Sequence, residues 1–106
     1  MLYVDFTAGN KDYKLRLNTR CIVALEKQLG GNPLSIFGTG DRIPTITEMV
    51  AVLHNSLQQY QHNISLNDAF EIFDSYLADG HTMVDFLPTI IDVYRASGII
   101  GKEEKN

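Results

Sequence analysis

Apolar and polar residues alternate at the start of the chain. Leu2, Val4 and Phe6 are separated by Tyr3 and Asp5, and Tyr13, Leu15 and Leu17 by Lys14 and Arg16. A period of two marks strands with one buried face. Between the runs lies Ala8-Gly9-Asn10-Lys11, and Gly-Asn tolerates the positive φ that a two-residue hairpin turn requires. The pattern predicts an antiparallel hairpin over residues 2–17. Two strands alone are marginal in water, so its apolar face must rest on helices.

The period changes at Asn18. Ile22, Leu25 and Leu29 recur at helical spacing, Asn18 can cap the first turn, and Gly30-Gly31 can close the last, which predicts a helix over about 19–29. Asn32-Pro33 reads as a cap followed by proline at a first helical position, opening a turn that runs through Phe37 and stops at Gly38. Gly38-Thr39-Gly40-Asp41 reads as the longest loop.

Three capping boxes follow, Thr45…Glu48, Ser65…Asp68 and Thr82…Asp85. In each the hydroxyl can satisfy a first-turn amide while the acid reaches back to the cap. They predict helices over about 46–60, 66–78 and 83–97. The first of these presents Met49, Val50, Leu53 and Leu57, the next Ala69, Phe70, Phe73 and Leu77, and the last Phe86, Leu87, Ile90, Ile91 and Tyr94. Pro88 is awkward inside a helix, so either that helix starts near Asp85, with Pro88 in its first turn, or it kinks there. Gly80 and Gly98 sit where the last two helices should stop. The expected architecture is α+β and mostly helical: one domain over 1–101, with the N-terminal antiparallel hairpin packed on a bundle of about four helices. Residues 102–106 read as a polar tail with no reason to be ordered.

Composition narrows the function classes. A chain of 106 residues can bury about 65% of its unfolded surface without disulfides or metal. A net charge of −4 with scattered basic residues argues against nucleic acid, which asks for a basic stripe. No apolar run approaches the ~20 residues of a membrane span, no charged-then-apolar signal opens the chain, and Cys21 is alone. A cytoplasmic setting is expected.

Candidate chemistry fails residue by residue. His54 and His62 are two helical turns apart, too far to share a metal. Asp74, Asp79, His81 and Asp85 crowd one turn, but with Gly80 as the loop glycine the EF-hand ligand positions fall on Ser75, Leu77 and Asp79, with Phe86 at the twelfth, which fails the pattern. Cys21 sits among Ile22, Val23 and Ala24, where a buried inert thiol is expected. Gly98-Ile-Ile-Gly101-Lys102 has neither the spacing nor the hydroxyl of a phosphate loop. Asn63-Ile64-Ser65 matches a glycosylation sequon, yet Ser65 is better used as a cap. Phe70, Phe73 and Tyr76 form a stripe that reads as core. No catalytic residue, cofactor or metal is expected, and function falls to surfaces. The candidates for partner binding are Leu34, Ile36, Phe37 and Ile43 in the connection after the first helix, and Ile99 and Ile100 beyond the last; the competing reading packs both sets back on the domain.

The runs LNTRCIVALEKQLGGNPLSIF, PTITEMVAVLHNSLQQY and ISLNDAFEIFDSYLADGHTMVDFLPTIIDVYRASG resemble the small tail assembly chaperones of long-tailed bacteriophages and prophages, those of Gram-positive hosts above all. The likeness covers most of residues 13–98. Its most specific element is the strand-to-helix passage ending in Leu25-Glu26 and the following glycines. The resemblance implies an N-terminal hairpin with several helices and a role in building the tail. Such proteins coat the long helical tape measure protein, keep it soluble, help recruit tail tube subunits, and leave before the virion is complete. The implied partners are therefore the tape measure and tail tube proteins, with a homo-oligomer as a further expectation and neither nucleic acid nor membrane involved. A structural head–tail connector or completion protein, or a small helical regulatory protein, are the alternatives.

Overall fold

The structure, a computed structural model, describes residues 2–101, and the expectation for 102–106 lies outside them. β1 (Val4–Ala8) and β2 (Lys11–Leu15) pair antiparallel, in register from Val4↔Leu15 to Ala8↔Lys11. Gly9 and Asn10 turn the chain with φ of 58° and 64°. Val4, Phe6, Ala8 and Leu15 face inward and are buried, as the alternation requires.

α1 (Thr19–Leu29) begins where the Asn18 side chain accepts the Cys21 amide at 2.9 Å and ends where Gly30 takes φ 75°. A 3₁₀ turn (Pro33–Phe37) follows, capped by Asn32. α2 (Ile46–Leu57) and α3 (Leu66–Ala78) open on complete capping boxes. The third box also forms, with the Thr82 amide 2.8 Å from Asp85 Oδ2 and the Asp85 amide 3.2 Å from Thr82 Oγ1. It starts a short 3₁₀ turn (Val84–Phe86), and the helix proper, α4, spans Leu87–Ala96. Pro88 thus lies in the first turn of α4, where a missing N–H breaks no helical bond. Three expected boundaries are corrected: the strands are shorter than 2–17, α2 stops at Leu57, and α4 starts at Leu87.

α2 is the central element. It packs against α1, α3, α4 and β2, and Met49 to Leu53, Asn55, Ser56 and Leu57 are all buried. Two of its buried polar side chains are satisfied within the fold, whereas the buried His54 Nδ1 has no partner among the described residues. Asn55 Nδ2 donates to Ala51 O and Gln28 Oε1, and Ser56 Oγ donates to Val52 O. On the other side of the core, Phe6, Phe73, Tyr76 and Phe86 cluster with ring centroids 5.0 to 5.9 Å apart, fixing β1 to α3 and the second 3₁₀ turn. Among the described residues no helix is long and apolar enough to cross a membrane.

Candidate interaction surface

The six residues singled out in the sequence do not form one surface. Ile36 is fully buried, which corrects its assignment as a contact residue: the 3₁₀ turn points Pro33 and Ile36 into the core. Phe37 is half-buried, edge-on to the Tyr94 ring at a centroid distance of 6.3 Å. Ile99 and Ile100 also fold back on the core, and their amides donate to Tyr94 O at 2.9 and 3.4 Å. Leu34 and Ile43 stay exposed. Nor is the 38–44 connection open. Arg42 donates to Ile36 O at 2.7 Å and to Glu48 Oε1 at 2.9 Å, strapping the loop to the first turn of α2.

The face that combines apolar exposure with charge is instead on α3. Leu66 and Phe70, one turn apart, are 41% and 39% exposed. Helical geometry sets them along one flank of α3, with Asp74 and Glu71 on the adjoining ridge. The segment 64–80 carries Asp68, Glu71, Asp74 and Asp79 and contains no Lys, Arg or His. Among the described residues neither Glu71 nor Asp74 has an ion-pair partner.

Beyond the ridge, the other flank of α3 borders a cleft of about 380 Å³ against the hairpin. Tyr13, Ile64 and Ile72 supply its apolar lining, and Lys11, Asp68 and Glu71 its charged lining. Burial pushes the Tyr13 phenol up from its ordinary value. Asp68 is held below the usual carboxylate range by the hydrogen bonds of the Ser65 cap, so it is an anion at neutral pH. The hairpin tip is docked at one end. The Gly9 amide donates to Asp79 Oδ2 at 2.8 Å, and a Cβ at Gly9 would lie 3.1 Å from that of Ser75.

Phe70 therefore departs from the core stripe that the sequence suggested. Phe73 has Ala69, Tyr76 and Leu77 as helical neighbours, whereas Phe70 has the polar Asn67 and Asp74. That mixed neighbourhood is the signal that separates the two rings.

Elsewhere, the Cys21 thiol is buried and its pKa raised by that burial. His81 stacks on Tyr76 with centroids 4.3 Å apart. Among the described residues no three His, Cys, Asp or Glu side chains converge as metal ligands would.

A family profile matches residues 4–106, all but the first three positions. The chain belongs to DUF6096, a family of unknown function. No curated protein and no solved structure matches it. The surface of this DUF6096 chain thus carries an apolar flank beside acidic side chains, on a helix whose opposite side is locked into the core.

Proposed function

We propose that this DUF6096 chain is a phage tail assembly chaperone that binds the tape measure protein, keeps it soluble, and helps recruit tail tube subunits. It would act in the cytoplasm of a bacterial host and leave before the virion matures. The job is binding alone, with no bond made or broken. The reading starts from the resemblance in the strand-to-helix passage and the helix order. The observation that carries it furthest is the α3 face, where Leu66 and Phe70 are exposed one turn apart beside the unpaired carboxylates of Glu71 and Asp74. A long helical protein awaiting its tube needs its apolar faces covered reversibly, and anchors spaced i, i+4 suit a helical partner. An acidic ridge favours a partner helix flanked by Lys or Arg and repels one flanked by acids. Weak contacts repeated along a long partner add up while each stays reversible.

Co-expression tests the reading. A tape measure gene should lie beside that of this chain, and its product should be soluble when the chain is present and aggregate when it is absent. Equal solubility in both cases overturns the proposal. Recovery of the chain at stoichiometric levels in finished particles would favour the connector reading instead.

A further inference from the structure

The two edges of the hairpin differ. In a ladder running from Val4↔Leu15 to Ala8↔Lys11 and closed by a two-residue turn, Val4, Phe6 and Ala8 bond to β2, while Asp5 and Thr7 turn their main-chain groups outward. On β2 the outward groups of Lys14 are covered. The Gln61 amide accepts the Lys14 N–H and donates to its C=O, both at 2.9 Å, as a neighbouring strand would. Just past the strand, the Arg16 N–H donates to Ser56 O at 3.0 Å. β1 has no such cover. Among the described residues the main-chain groups of Asp5 and Thr7 have no partner, and both residues are exposed. β1 contains no proline, lysine or bulge, and its one charge is the exposed Asp5.

We propose that β1 is a self-association edge, at which a second copy of this chain pairs antiparallel and doubles the sheet. The choice of occupant rests on register. With Asp5 opposite Thr7 of the second copy, the two residues exchange both main-chain bonds, and the two-fold axis repeats the exchange. Each Asp5 then lies opposite Thr7, whose hydroxyl stays donated to Asp12 Oδ1 at 2.7 Å within its own hairpin, and Phe6 meets Phe6 of the second copy on the apolar side. The register centred on Asp5 sets two carboxylates opposite each other, which is destabilising. The register centred on Thr7 brings Asp5 to Gly9, whose amide is already donated to Asp79. Of the registers centred on Val4 to Thr7, only the one centred on Phe6 pairs the two outward residues Asp5 and Thr7 with each other while keeping carboxylates from direct opposition.

The test needs only the purified chain, so its outcome is independent of the tape measure experiment. Sedimentation velocity over a concentration series should show a monomer–dimer equilibrium. Amide exchange should slow at Asp5 and Thr7 as the dimer fills, and stay unchanged at Asp12, which turns outward on the far edge. Thr7→Pro removes an outward N–H without touching a ladder bond, and should weaken dimerisation by at least about tenfold. A chain that is monomeric throughout overturns the proposal. So does a dimer with unaltered exchange at Asp5 and Thr7, or a folded Thr7→Pro variant that dimerises equally well. Should that variant not fold, the exchange data on the unaltered chain decide.

Discussion

The Tyr94 hydroxyl donates a hydrogen bond of 2.8 Å to the carbonyl of Pro33, and both residues are buried. This contact joins α4 to the first 3₁₀ turn across most of the chain. Tyr94→Phe leaves the Pro33 carbonyl without its partner and should cost about 1–3 kcal/mol, measured by denaturant unfolding.

Burial also raises the Tyr94 phenol above its ordinary value of 10.0. The folded chain thus keeps a proton that the unfolded chain gives up at high pH. By linkage, the contribution is fully present below pH 10.0 and is lost as pH rises through the folded value. The wild type should lose stability above about pH 10, and Tyr94→Phe should lose less over the same interval. Unfolding curves collected from neutral to alkaline pH check this; equal slopes for the two proteins would contradict it.

At the other end of the pH scale, burial acts to raise Glu48, but the Thr45 amide and the Arg42 guanidinium outweigh it and hold the carboxyl below its ordinary 4.5. That contribution is present above pH 4.5 and is lost as pH falls through the folded value. Arg42→Ala should flatten this acid dependence and cost about 1 kcal/mol, a modest figure because the pair is partly exposed. More telling is the 38–44 loop, which loses its strap to Ile36 O. Limited proteolysis should cut within that loop in Arg42→Ala before it does in the wild type.

Gly9 is constrained twice, by a φ of 58° and by its approach to Ser75. Gly9→Ala should cost about 1–2 kcal/mol, through strain in the left-handed region and a tight contact with the Ser75 side chain. Chemical denaturation measures the loss. Ser75→Gly in the same chain should recover the contact part of it and leave the backbone part.

Much of the fold is legible in the residues because the determinants are local. Gly9-Asn10, the Asn18 cap, Gly30 and the capping boxes at Thr45 and Ser65 each specify a few dihedrals through groups that are neighbours in sequence. What could not be read depends on distant partners. Ile36 is core because Tyr94 and the Arg42 strap hold its turn inward, and a turn of five residues has no periodicity to show it. Ala51, Val52, Asn55 and Ser56 are buried because α2 is enclosed on several sides, beyond the single stripe that its own pattern displays. The candidate site was the least legible part. An exposed Phe70 and a buried Phe73 are the same side chain on the same helix, and in the sequence only the polar Asn67 and Asp74 beside Phe70 set them apart. The free edge of β1 likewise depends on a distant residue, Gln61, which covers β2 and leaves β1 open.

Those two rings on α3 give the sharpest test. Phe73→Ala should cost about 3–5 kcal/mol, since it empties the aromatic cluster. Phe70→Ser should change stability by no more than about 1 kcal/mol, because that ring is already partly in water. The decisive measurement is the affinity of purified wild-type and Phe70→Ser chains for a helical fragment of the tape measure protein, by titration calorimetry. If α3 is the contact face, the wild type binds and the still-folded Phe70→Ser variant binds at least about tenfold more weakly. Equal affinities, or no binding by the wild type, would contradict the account.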